Sequence, residues 1–148
     1  MFLTAKNKSL DITHLKSVIF DMDGTLIESE HVWAEAKKHI AEIYGQKVSD
    51  EELQKFIGRG ISDFIDEVFG PTTVFKKEMI KQEIHVRALD NYRAKIRVIP
   101  NATKILNDFS SSEIRIAICS SGPLKAIKQS LEALKSTKMI EVIVSGDA

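Results

Sequence analysis

Residues 18–20, Val-Ile-Phe, form a short apolar run that delivers two aspartates, Asp21 and Asp23, to a Gly24-Thr25 turn. β-branched and aromatic residues over 17–21, with no polar interruption, predict a buried strand. Two carboxylates one residue apart at the end of such a strand repel each other at neutral pH. A bound cation is the usual relief. A structural core has no need for that pair, and open parallel sheets bind ligands at the carboxyl ends of their strands.

The remainder of the chain falls into two patterns. Between about 28 and 96 every periodic segment is helical. Val32, Ala36, Ile40 and Ile43 recur on one face before a stop at Gly45. Ser49 and Glu52 form a capping-box pattern ahead of Leu53, Phe56 and Ile57. Phe64, Ile65, Val68 and Phe69 stripe a third helix. Phe75, Met79, Ile80, Ile84, Ala88 and Tyr92 stripe a fourth, from about 73 to 93. After Arg97 strand and helix alternate. Pro100-Asn101 opens a helix with Ala102, Ile105, Leu106 and Phe109, and Ser110-Ser111-Ser112 leads out of it. Residues 114–119 read as a second buried strand and Ser120-Ser121-Gly122 as a turn. Pro123 fits the first position of a helix striped by Leu124, Ile127, Leu131 and Leu134, and 141–144 read as a third strand. Residues 1–16 read as an unpatterned lead-in. The expected architecture is an α/β core with a parallel sheet, interrupted by a helical insert.

Composition narrows the function classes. Among 148 residues the charges balance, 21 basic against 21 acidic, which leaves no basic field for nucleic acid. No apolar stretch approaches the roughly 18 residues of a membrane span, and the first residues lack the apolar run of a secretion leader. The single cysteine, Cys119, excludes an intrachain disulfide and suits a reducing, cytoplasmic compartment. It reads as a small buried strand residue. Oligomeric state is not legible.

Ser120 and Ser121 follow the second strand as Asp21 and Asp23 follow the first. If the strands are neighbours, the two sets face each other across about 4.8 Å. The Ser120-Ser121-Gly122 turn also precedes a helix start, where backbone N–H groups and the positive helix end favour a phosphate. One carboxylate can attack phosphorus to form an aspartyl phosphate. A second can protonate the leaving oxygen and then deprotonate water. A magnesium ion would screen the phosphate charge from the nucleophile.

The segment Asp21-Met22-Asp23-Gly24-Thr25-Leu26 resembles the first motif of the haloacid dehalogenase (HAD) superfamily, Asp-x-Asp-x-Thr after a β-strand. Ile116-Ala117-Ile118-Cys119-Ser120 resembles its second motif, a Ser or Thr ending the next core strand. The resemblance implies a Rossmann-like core over 1–27 and 97–148 and an inserted all-helical C1-type cap over 28–96. Residues 27–33, Ile-Glu-Ser-Glu-His-Val-Trp, are similar to the cap entry of the β-phosphoglucomutase and sugar-phosphate phosphatase branch. Val98-Ile99-Pro100 resembles the return to the core. By that resemblance Asp21 is the nucleophile and a metal ligand. Asp23 is the acid/base and a second contributor to the Mg2+ site, through its backbone carbonyl. Ser120 holds the transferred phosphoryl group, with Ser121, Gly122 and Thr25 assigned beside it. The implied activity is magnesium-dependent hydrolysis of a small, sugar-type phosphate monoester, with phosphotransfer by a sugar phosphomutase as the alternative.

The family's third motif, a lysine, and its fourth, an acidic pair, follow the third core strand, where these 148 residues stop. The chain is therefore expected to be an incomplete piece of a longer hydrolase, or a decayed copy serving as a silent phosphate- or partner-binding module. If the strand order is first, second, third, Asp147 would lie about two strand spacings, near 10 Å, from Asp21 and so make a poor substitute ligand. Without further strands, 18–20 would become an exposed apolar edge. In the insert, Gly58-Arg59-Gly60 is the loop suited to approach a ligand, and Arg59 the residue suited to a sugar phosphate. His31, His39 and His85 lack metal-ligand spacing. Trp33 and Tyr44 read as packing residues, and Lys76, Lys77 and Lys81 as a solvated helix face.

Overall fold

The computed structural model describes residues 2–5 and 8–146, so Asp147 lies outside the described residues. The fold is mixed α/β around a parallel sheet. Its three strands are β3 (Ser17–Phe20), β6 (Arg115–Ser120) and β7 (Ile140–Ser145), in the order β3-β6-β7. Val18 lies opposite Ile116 and Phe20 opposite Ile118, while Ser120 lies opposite Ser145. Helices α6 (Ala102–Ser111) and α7 (Leu124–Ala133) are the crossovers that parallel pairing requires. Leu106, Phe109, Ile127 and Leu131 pack with Ile116 and Ile118 into one core, against which Val18 and Phe20 lie. The rings of Phe20 and Phe109 meet edge to face at 5.8 Å.

Only one face of this sheet is covered among the described residues. On the other, Ile19 is 69% exposed, Val142 53% and Val144 50%. The strand over 17–21 is therefore half-buried at a sheet edge, with its apolar run alternating between a packed and a bare face. Cys119 is exposed for the same reason. It pairs with Val144 on the bare face, whereas Ile118 and Ser120, of opposite parity, are buried.

The helical segment comprises α1 (Glu30–Ile43), α2 (Asp50–Gln54), α3 (Ile61–Phe69), α4 (Val74–Leu89) and α5 (Tyr92–Lys95). The capping box forms as its sequence predicts: Ser49 accepts from the Glu52 amide and the Glu52 carboxylate accepts from the Ser49 amide. Val32, Ala36, Ile40, Phe56, Phe64, Ile65, Ile80 and Ile84 share a second core. Four residues of the expected stripes stand outside it: Ile43, Ile57, Phe75 and Met79 are exposed. The fourth helix is also shorter than its periodicity suggests. Asn91 adopts a left-handed φ of 56°, which separates α4 from α5, whose N-cap it forms.

Two short strands close the base of the segment. β4 (Ile27–Glu28) pairs antiparallel with β5 (Arg97–Val98), and the Ile99 amide donates to the Leu26 carbonyl at 3.0 Å. The lead-in is not featureless, because β1 (Phe2–Ala5) pairs antiparallel with β2 (Lys8–Asp11). Main-chain hydrogen bonds carry such a ribbon, so apolar alternation need not announce it.

Candidate active site

The loop after β3 is wound around a single carbonyl. The Met22 carbonyl accepts the amides of Thr25, Leu26 and Ile27 at 3.3, 2.9 and 3.1 Å, and the Gly24 amide returns to Ile27 at 2.8 Å. This reversal needs φ +73° at residue 24, which glycine adopts without strain. The Met22 side chain, 1% exposed, anchors the loop in the core and leaves the flanking aspartates outside it. Asp21 is exposed, and its Oδ1 accepts the Met22 amide at 2.7 Å.

Asp23 is half-buried and held from two directions. Its Oδ2 accepts the Ser120 hydroxyl at 3.1 Å, a bond that joins the ends of β3 and β6 across 97 positions of sequence. Its Oδ1 accepts the hydroxyl of Ser29. Ser29 is fully buried at the N-cap of α1, yet its side chain caps no helix amide. The Tyr92 phenol, also buried, lies near enough for the Asp23 charge to matter. Burial first and the Asp23 charge second push its pKa up, while the neighbouring Ser130, Ser29 and Trp33 pull it down.

The second loop is equally tight. The Ser120 Oγ accepts the Gly122 amide at 3.0 Å, so that N–H is engaged within the loop. A Cβ at Gly122 would lie 3.3 Å from the Ser120 Oγ and 3.4 Å from the Asp23 Oδ2. The end of β7 closes on the same loop. The Gly146 amide donates to the Gly122 carbonyl at 3.1 Å, and a Cβ on Gly146 would fall 2.1 Å from the Ser121 carbonyl oxygen. Helix α7 starts directly beyond, with Pro123 as its N-cap rather than its first residue.

Asp23, Ser121 and Gly122 form the sheet side of a cleft of about 260 Å³. Glu30, Trp33, Lys37, Arg59 and Lys81 belong to its other side. Of the residues singled out by sequence, Asp23, Ser121, Gly122 and Arg59 are thus brought together, with Ser120 directly behind them. Asp21 and Thr25 are exposed at the strand end and do not line this cleft. Arg59 reaches Glu67 at 3.2 Å and Asp63 at 3.5 Å, and stacks over Phe56 at 5.0 Å. Trp33 packs edge on to His85 at 5.9 Å and also borders the cleft. Lys77 pairs with Asp66, whereas Lys81 turns inward and is half-buried, a departure from the expected solvated face.

Sequence reasoning passed over Ser29, Lys37 and Tyr92. A serine directly before an apolar-periodic helix signals a cap, and here that signal marked the right residue for another purpose. Lys37 had a fainter signal: it falls four positions after Trp33 and four before Ala41, on an otherwise apolar face.

A magnesium site would draw on the Asp21 carboxylate and the Asp23 main-chain carbonyl. Magnesium is commonly held by one or two carboxylates, with water and substrate phosphate completing the octahedron. These two donors fit part of that set. No cluster of three or more His, Cys, Asp or Glu side chains is placed to hold a metal among the described residues.

An Asp-x-Asp loop and a serine loop joined at the carboxyl ends of neighbouring parallel strands, under a helical insertion, define a Rossmann-like α/β protein of the HAD type. Residues 18–148 match the family described as "Haloacid dehalogenase-like hydrolase". The chain belongs to that family. It is 25% identical over 137 residues to a phosphorylated carbohydrates phosphatase from Thermotoga maritima, covering 90% of this chain and 62% of that protein. It is 29% identical over 138 residues to a phosphoglycolate phosphatase from Cereibacter sphaeroides, covering 90% and 63%. The crystal structure of CbbY from Rhodobacter sphaeroides in complex with phosphate superposes with a TM-score of 0.74 at 20% identity, covering 90% of this chain and 64% of that one. The chain spans a little under two thirds of the length of these relatives.

Proposed function

We propose that this chain carries the nucleophile and phosphate-binding half of a hydrolase that cleaves a small phosphate monoester, with Asp21 as nucleophile and Asp23 as acid/base. The observation that carries this reading is the 3.1 Å bond from Ser120 to Asp23. It holds the serine loop against the second carboxylate at the strand ends where α/β sheets bind ligands. Relatives named as phosphatases of phosphorylated small molecules support the same reading.

In this mechanism an Asp21 carboxylate oxygen attacks phosphorus and forms an aspartyl phosphate. The ester P–O bond breaks, and its electron pair stays on the leaving oxygen, which takes the proton of Asp23. Water then attacks the phosphorus while Asp23 removes its proton. The P–O bond to Asp21 breaks, freeing inorganic phosphate and restoring both carboxyl groups. Ser29 and Ser120 keep Asp23 oriented throughout. Ser121, in the cleft lining at the N-terminus of α7, faces the phosphoryl oxygens, while Ser120 and the Gly122 amide hold the loop in shape beneath it. Thr25 supports the turn that carries both aspartates. Mg2+, held through Asp21 and the Asp23 carbonyl, supplies charge neutralisation of the phosphate when bound. The helical segment 28–96 acts as the cap over the core formed by 1–27 and 97–148, and Arg59 presents its loop to the substrate. A cytoplasmic location suits such a metabolite.

The test is magnesium-dependent hydrolysis of 4-nitrophenyl phosphate by the chain and by Asp21→Asn. Loss of turnover in the variant is expected, and equal turnover would remove Asp21 as nucleophile. A second reading, a silent phosphate-binding module, is favoured by the incomplete set of metal donors among the described residues. It predicts binding of inorganic phosphate without turnover in either protein. A mutase reading gains no separate observation.

A further inference from the structure

Lys37 is 5% exposed, yet it carries an ammonium group into the cleft wall. Among the described residues that group has no ion pair. It donates to the Phe56 carbonyl at 3.5 Å, the outer limit of a hydrogen bond, and lies 5.8 Å from the centre of the Phe64 ring. Burial lowers its pKa; the Glu30 charge raises it and the Arg59 charge lowers it further. A buried cation without a partner is costly, and an interior normally neutralises or pairs it. The neighbouring groups do not supply that partner. Glu30 remains outside ion-pair distance, and its own carboxyl is pushed up in pKa by burial, with Lys37 pulling it back, Asp23 raising it and the Gly58 amide lowering it. Arg59 is already shared between Asp63 and Glu67. Lys81 adds another positive group to the same wall.

We propose that Lys37 determines specificity by pairing with a second anionic group, a carboxylate or phosphate, at the end of the substrate remote from the scissile phosphate. This rests on the reading of the serine loop as the phosphate site. The geometry of the cleft suits it. Asp23, Ser121 and Gly122 lie on one side and Lys37 on the other, so an extended ligand meets both. Its volume, about 260 Å³, lies just below the usual range of ligand pockets and suits a short carbon chain or a single sugar. An entering anion would replace the weak Phe56 contact with a charge-assisted bond to a buried ammonium. A ligand with one anionic group would leave the ammonium as it stands.

The test compares two isosteric esters, 3-phosphonooxypropanoate and 3-phosphonooxypropanamide, by titration calorimetry with Mg2+ on the 148-residue chain, on Lys37→Met and on Lys37→Arg. The chain is expected to bind the carboxylate ester about tenfold or more tightly than the amide. Lys37→Met should lose that preference while keeping its affinity for the amide, and Lys37→Arg should restore part of it. Equal binding of the two esters by the original chain overturns the inference and leaves the phosphate site standing. A Lys37→Met variant that weakens both esters alike also overturns it, since the lysine then serves a neutral group or the fold. If neither ester binds and inorganic phosphate does not bind either, the reading of the serine loop fails and this inference fails with it.

Discussion

The helical segment and the sheet layer differ in how far each completes its own core. Phe64, Ile65, Ile80 and Ile84 are fully buried among helices that contact one another within 28–96. The sheet, by contrast, buries Ile116 and Ile118 under α6 and α7 and leaves Ile19, Val142 and Val144 bare on the opposite face. The difference follows from geometry. An amphipathic helix has one apolar stripe, and a handful of helices can satisfy one another. A parallel strand has two faces, and a sheet of this class needs cover on both. The two candidate-site loops thus grow from the less enclosed layer, while the facing wall of the cleft belongs to the more enclosed one.

The sharpest test of this contrast is a matched pair of truncations. Phe64→Ala should cost about 3–5 kcal/mol in urea unfolding, as a buried aromatic does. Ile19→Ala should change stability by less than about 0.5 kcal/mol, as an exposed position does. Comparable losses would mean that the sheet face is covered in solution. Next in size, Ser29→Ala removes a donor from the half-buried Asp23 and should destabilise by about 1–3 kcal/mol. A loss limited to a few tenths would show that Ser29 does not hold Asp23.

The boundary between the two regions should show in pH dependence. Burial holds the pKa of Glu30 above the 4.5 of a free glutamate, so the folded state keeps its proton to higher pH than the unfolded state. Where the folded state binds more protons, stability falls as pH rises. The contribution of Glu30 is therefore fully present below pH 4.5 and lost as pH rises through its folded value. Melting curves of the chain and of Glu30→Gln should agree best at low pH and separate as pH rises, the chain losing stability more steeply than the variant. Parallel curves would remove Glu30 as the source. The smallest effect on stability, within about 0.5 kcal/mol, is expected for the double change Val142→Thr and Val144→Thr. Its readout is association: light scattering at rising concentration should fall, because an open apolar strand surface favours self-pairing. Unchanged scattering would show that this face is not sticky.

The order of the three core strands came only from the structure, whereas the fold class was legible from the strand and helix periods and the two loop motifs. The Ser49 capping box was legible for the same reason, since cap and partner are three residues apart. The break at Asn91 was not, because a left-handed residue interrupts no hydrophobic stripe. Exposure of Ile19 and Cys119 was also hidden. An apolar strand residue looks the same whether its face is covered or bare, and only the arrangement of elements around it decides.

The candidate site divides along the same line. Asp21, Asp23 and Ser120-Ser121-Gly122 stand in local motifs whose chemistry is written in adjacent residues. Their placement is legible in the sequence, because each motif sits where its own strand ends. The links from Ser29 and Tyr92 to Asp23, and the placement of Lys37 in the opposite cleft wall, join segments far apart in the chain or on different elements. They are decided by packing, which determines which polar groups lose water and which partners remain within reach.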